Sequence, residues 1–289
     1  MRRAFHITPQ TTGLPAVNSW KTLTLDPATV PRPVLAESIA EHMMLTLFGG
    51  TPVIIDAWRA KRLHGTPHPT AGITAQLEDI LGRPIGLPAG PPRALNPNRG
   101  RYAGLEKLDH LEGFVAEHLW HLATHHQVHS APHVRLHGVS FRVTDSGADG
   151  FVIYEPVPGA YTYRLWEIKK NSSGTNPRPT AVKACDQLTN NATYYLQEIS
   201  KVGEHEADMN VKAFYSNIVF HWRGATPEAN AGVALIVDQG APGANPFDML
   251  GTSALTGLAG ADRLHGLQIE VLEVRRFAEE VRQVLWNGL

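Results

Sequence analysis

The segment Leu165-Trp166-Glu167-Ile168-Lys169 constrains this chain more than any other. Side chains alternate along a β-strand, so Glu167 and Lys169 share one side while Trp166 and Ile168 share the other. The neighbouring segments fit around such a strand. Phe151 to Tyr154 and Tyr161 to Lys169 read as two strands joined by a loop with Pro156, Pro158 and Gly159. His133 to Val143 reads as a further strand with a local irregularity, closed by the turn Asp145-Ser146-Gly147. Upstream, Asp109 and Glu112 have the spacing of a capping box, and Leu111, Phe114, Val115, Leu119 and Leu122 follow as one apolar stripe. Downstream, Pro177 and Pro179 precede a long helix with a stripe of Cys185, Leu188, Ala192, Tyr195, Leu196 and Ile199.

Phe214 to Trp222, Gly232 to Val237 and Leu267 to Val271 read as later strands before a closing helix. The order from residue 109 is thus helix, three strands, helix, strand. Hairpins followed by a helical crossover predict an α/β fold, with a mixed central sheet flanked by helices. Before it, Lys21 to Leu25 alternates as a short strand, and Val34 to Leu47 and Thr74 to Leu81 carry helical spacing. The Pro/Gly-rich stretch Arg83 to Gly100 suits a linker. The expected organisation is an N-terminal accessory region over 1–82, a linker over 83–100 and a main domain over 101–289.

Charge and cysteine content narrow the functions. The 289 residues include 26 basic and 27 acidic ones, so the net field neither attracts nor repels a polyanion strongly. Nucleic-acid contact would need a local basic patch or a partner. The single cysteine, Cys185, rules out an intramolecular disulfide and a four-thiolate cluster, which fits a reducing cytoplasm. No continuous apolar run of a secretion signal opens the sequence, and no stretch approaches the roughly 20 apolar residues of a membrane span. The expectation is a soluble, cytoplasmic protein with no membrane partner.

Asp149 stands at the entry to one strand, and Glu167 and Lys169 lie on the next. If the two strands pair, two carboxylates and an ammonium converge. Hydrolysis of a phosphodiester needs a hard cation that binds phosphate oxygen and acidifies a water, and Mg²⁺ or Mn²⁺ takes carboxylate oxygens for that task. Asp149 and Glu167 would supply them, with the carbonyl of Ile168 as a third ligand. Lys169 would orient the attacking water and offset charge in the transition state.

An aspartate opening one strand followed by Glu-x-Lys on the next, between two helices, resembles the PD-(D/E)xK, or restriction-endonuclease-like, nuclease superfamily. The resemblance covers about residues 109 to 222 and implies an α-β-β-β-α-β core with an additional N-terminal region. Gly113-Phe114-Val115-Ala116-Glu117 is similar to the Gly-x-x-Ala-Glu of the first helix in archaeal Holliday-junction resolvases, which implies that Glu117 joins the metal site. Gln187, in Ala184-Cys185-Asp186-Gln187-Leu188, matches a glutamine that several members carry on the next helix. Alanine precedes Asp149 where the motif name has proline, and no tyrosine follows Gln187 at the fourth position as it does in the RecB-like branch. With its extra N-terminal part the chain resembles nuclease effectors of bacterial phage defence, such as that of the Hachiman system. That resemblance implies a Mg²⁺- or Mn²⁺-dependent deoxyribonuclease whose partners are DNA and a helicase or ATPase subunit, with a homo-oligomer left open. The rival is a non-catalytic subunit of the same fold that binds nucleic acid or a partner.

Other features read more plainly. His121 and His125 have a possible zinc-ligand spacing but lack the intervening glutamate of HExxH, and read as a polar helix face. Glu112 reads as a cap, Glu155 as surface, Asp186 as solvated or capping, and Cys185 as a buried small residue. Arg83, Arg93, Arg99 and Arg101 suit either a phosphate track or a soluble linker. Arg59, Lys61 and Arg62 read as an exposed helix end.

Overall fold

Alternating apolar residues build a sheet buried on both sides, and helical stripes cover it. The structure, a computed structural model, describes residues 5–11, 18–25, 31–49, 51–65, 77, 80–81, 108–125, 133–138, 149–172, 174–242, 246–250, 254–258 and 263–289. Strands β1 (Phe5–Thr11) and β2 (Asn18–Leu25) are followed by helices α1 (Arg32–Phe48), α2 (Pro52–His64) and α3 (Leu108–His125). Next come β3 (His133–Leu136), β4 (Gly150–Val157), β5 (Ala160–Asn171), α4 (Arg178–Val202) and α5 (Met209–Arg223). Strands β6 (Ala229–Asp238) and β7 (Leu264–Val271) and helix α6 (Val274–Asn287) complete the order.

The seven strands form one sheet in the order β1-β2-β7-β6-β5-β4-β3. Strands β5, β6, β7 and β2 run parallel, whereas β1, β4 and β3 add antiparallel neighbours at the two sides. The expected α/β architecture, a mixed sheet flanked by helices, is therefore present. Alternation along β5 sends Trp166 and Ile168 to one face, where they pack with residues of α1, α2, α3 and α6. Tyr163 and Leu165 go to the other face, against α4 and α5.

One expected strand is a helix. Phe214 to Trp222 lies within α5, whose buried residues Val211, Phe214, Tyr215 and Ile218 follow helical spacing. The Asp208 carboxylate accepts the amides of Asn210 and Val211 and starts this helix. A dense apolar run reads as either element over a short window, and here the capping aspartate decides. Of Thr74 to Leu81, Leu77, Ile80 and Leu81 are described, and they are helical. The Arg83–Gly100 linker with its arginines, the Asp145-Ser146-Gly147 turn and the later part of His133–Val143 lie outside the described residues.

The region expected to be accessory shares the sheet and the core of the rest. Strand β2 pairs with β7, and Leu35, Ile39, Met43 and Trp58 pack in one cluster with Leu119, Phe277 and Leu285. The Trp58 indole donates to the Leu285 carbonyl at 3.0 Å, and Arg32 bonds Glu273 and Glu280 of the α6 region. Arg59 and Arg62 pair with Glu41 and Glu37 of α1 rather than standing free at a helix end.

At the start of β4 the packing of α3 leaves no room for a side chain. A Cβ on Gly150 would meet the Trp120 ring at 2.2 Å, and Trp120 in turn lies 5.8 Å from the Trp166 ring. Gly150→Ala is expected to cost about 1–3 kcal/mol of stability through overpacking, read as a lower urea midpoint at unchanged slope. A wild-type midpoint would show that Trp120 can move aside. Deleting residues 1–82 is expected to leave no cooperatively folding protein, because it uncovers β7 and strips α6 of its apolar cover. A soluble truncated protein with a sharp melting transition would refute this.

Candidate active site

Pairing of β4 with β5 brings the expected residues together. Gly150 lies opposite Trp166, so Asp149, one residue before the strand, stands beside Glu167. The Ile168 amide donates to Asp149 Oδ2 at 2.8 Å, fixing this carboxylate to the backbone of β5. Lys169 Nζ bonds Glu167 Oε1 at 2.5 Å and lies 3.5 Å from Asp149 Oδ2. Glu167 is 0% exposed; its buried Oε2 meets no donor among the described residues, and the protonated carboxyl hydrogen-bonds Asp149.

Glu117, on α3, feels the charges of Asp149, Lys169 and Glu167, so it faces the same centre. Gln187 is half-buried on α4, beside the stripe of Ala184, Cys185 and Leu188. The bonds that join Asp149, Glu167 and Lys169 run among those residues and Ile168, without Gln187.

Among the described residues, this buried place gathers three carboxyl groups and one ammonium. Burial pushes the Glu167 carboxyl up to about 8, and neighbouring Asp149 pushes in the same direction. Burial also raises Asp149, against the pull of Lys169 and of the Ile168 amide. Glu117 is raised well above the usual range by burial and then by Asp149. Burial lowers Lys169, but Asp149 and Glu167 together outweigh it, so the ammonium is held charged.

Among the described residues, no group of three or more His, Cys, Asp and Glu side chains is placed to hold a metal ion as the chain stands. The donor chemistry nevertheless suits a hard divalent cation. Carboxylate oxygens are the ligands Mg²⁺ and Mn²⁺ prefer. Glu167, which holds its proton and is hydrogen-bonded through it to Asp149, would give that proton up to such an ion.

Two neighbours were not foreseen. Glu112 does not act as a cap: it is 1% exposed and accepts from Lys170 Nζ and from Ser172 Oγ, each at 2.5 Å. Alternation along β5, carried one residue past Lys169, would have placed Lys170 on the α3 face. The histidines also differ from a polar helix face. His121 is buried, stacked 4.8 Å from His42, whose ring lies 5.3 Å from that of His118. Burial, and then His42, pull His121 down to about 3, so it stays neutral. His125 is exposed. Cys185 is buried, as expected, and burial raises its thiol to about 12, which removes it as a nucleophile.

The raised carboxylates make stability pH-dependent. In the folded chain Glu167 keeps its proton up to about pH 8, whereas unfolded it releases it near 4.5. The folded state therefore binds more protons across that window, and stability falls as pH rises through it. In EDTA, the wild type is expected to melt progressively lower from pH 5 to pH 8. Glu167→Gln should flatten that slope and raise the melting temperature at pH 8 by about 2–5 °C. A wild-type melting temperature that climbs over this range would contradict the buried, unbalanced carboxylates.

Compared with models of protein families the sequence matches none, and a search of curated proteins likewise returned no match, so the functional reading stands on the site itself.

Proposed function

We propose that the chain is a metal-dependent phosphodiesterase that hydrolyses DNA, with Asp149, Glu167 and Lys169 as its catalytic centre. The observation that carries this reading is the buried Glu167 carboxyl, one oxygen on Lys169, set against the Asp149 carboxyl so closely that the two share a proton. Asp149, Glu167, Glu117 and the Ile168 carbonyl would hold Mg²⁺ or Mn²⁺. When bound, such an ion polarises a phosphate oxygen and makes a water acidic enough to attack at neutral pH.

The chain's own groups do the rest. The Ile168 amide holds Asp149 in place, so its carboxylate loses little freedom on binding an ion. Lys169 stays protonated between two carboxylates, positioned to orient a water and to offset charge developing on the phosphoryl oxygens. Gln187 would contact substrate from α4. The near-neutral net charge supports dependence on a partner such as a helicase or ATPase subunit, since duplex binding draws on many Lys and Arg contacts to phosphate. The resemblance to phage-defence nucleases points to the same setting, in the cytoplasm. Among the described residues no helix is long and apolar enough to cross a membrane.

A non-catalytic binding subunit is the second reading. What favours it is the Lys169 ammonium, which already ties Glu167 to Asp149 as a structural ion pair would.

One set of measurements separates the two. Mn²⁺ calorimetry should show binding that strengthens from pH 6 to pH 8, as the carboxylates release their protons, and that is lost in Glu167→Gln and Asp149→Asn. Cleavage of DNA, with partner supplied, should fall at least about 10²-fold in Glu167→Gln and in Lys169→Ala. A Glu167→Gln protein that cuts at the wild-type rate would sink the assignment, and a wild type that binds no Mn²⁺ at pH 8 would favour the binding subunit.

A further inference from the structure

We propose that Glu112 is a positioning residue for this centre: its buried carboxylate clamps α3 to β5 and α6, and so sets where Glu117 stands relative to Asp149. The inference rests on the reading of Glu117 as part of the site. The clamp joins three parts of the chain. Lys170 Nζ reaches Glu112 from β5 and Ser172 Oγ from the segment just after it, each at 2.5 Å, while Arg275 Nε approaches from α6 at 3.5 Å. Lys170 directly follows Lys169 and points to the opposite face, so β5 presents one lysine to the centre and the next to the clamp.

Geometry links the clamp to Glu117. Both glutamates lie on α3, five residues and thus about 7.5 Å apart along the axis. The packing of Leu111, Val115, Leu119 and Trp120 against the sheet is apolar, and apolar contact is non-directional. It seats α3 at one point, where Trp120 covers Gly150, and a second fixed point is needed to set how the helix runs from there along β5. Short bonds to two donors do so sharply. A buried ion pair is also a weak source of net stability, because desolvation offsets much of the attraction. Its best-attested use is to fix register, which is what a site assembled from a helix and two strands requires.

The test compares crystal structures of wild type and Glu112→Gln without metal or DNA, together with Mn²⁺ calorimetry on the same proteins. In Glu112→Gln the strands should superimpose while Glu117 withdraws from Asp149 by about 1 Å or more, a displacement that costs on the order of 10²-fold where groups must be positioned. Mn²⁺ affinity should fall with it, and Glu112→Asp, which keeps the charge, should lie between. If Glu112→Gln does not fold, the double variant Glu112→Gln, Lys170→Met leaves no buried charge behind, since the remaining partner Arg275 is exposed, and answers the same question. A Glu117 that keeps its place in either folded protein overturns the clamp. If Glu117 moves in the variants but the wild type binds no Mn²⁺, the clamp is supported and the metal reading alone fails.

Discussion

Glu167 holds its carboxylate at 0% exposure, on a strand whose other face is Trp166 and Ile168 within the core. A charge in that setting costs several kcal/mol unless partners meet it. The local architecture supplies them in part. Lys169 comes from the same strand two residues on, and Asp149 is brought alongside by the β4–β5 pairing. Yet Asp149 and Glu117 are carboxyls too, so among the described residues one ammonium faces three of them. Burial makes each of these carboxyls hold its proton more tightly, and the charge of Asp149 adds to that at Glu117 and Glu167. An arrangement of this kind is poorly suited to stability alone and well suited to receiving a cation.

The rest of the fold makes that burial possible. Parallel strands β5, β6 and β7 need cover on both faces, and the two helical layers provide it. On one side α4 and α5 close over Tyr163, Leu165 and Val233. On the other, α3 lies over Trp166 and carries Glu117 to the centre, while α1 and α2 wrap α6. Trp120 sits so close to Gly150 that the residue beside Asp149 has no room for a side chain. Packing and chemistry are thus coupled at one point, where α3 crosses the start of β4.

The polar residues divide by whether their partners are near in sequence. Glu167 and Lys169 were legible because alternation within one strand puts them together. Asp149 was legible because a hairpin has few ways to pair. Glu112 was misread because Asp109-x-x-Glu112 has the spacing of a capping box, whereas its bonds run to Lys170 and Ser172, 58 and 60 residues away. His121 was misread for the same reason, since the ring stacked on it, His42, belongs to α1. Phe214 to Trp222 failed differently: aromatic and branched residues dominate it, and a short apolar window does not distinguish period 2 from period 3.6.

The sequence by itself determined the α/β class, the hairpin of β4 and β5 and the residue types at the centre, because these follow from local periodicity and from turns of a few residues. Tertiary structure alone decided that β1, β2, α1 and α2 share one sheet and one core with the later elements, that Glu117 lies within electrostatic reach of Asp149, and that Glu112 is buried on Lys170 and Ser172. Those facts depend on contacts between segments far apart in the chain. No local pattern encodes such contacts, because the energy that selects them is the burial of whole faces against one another.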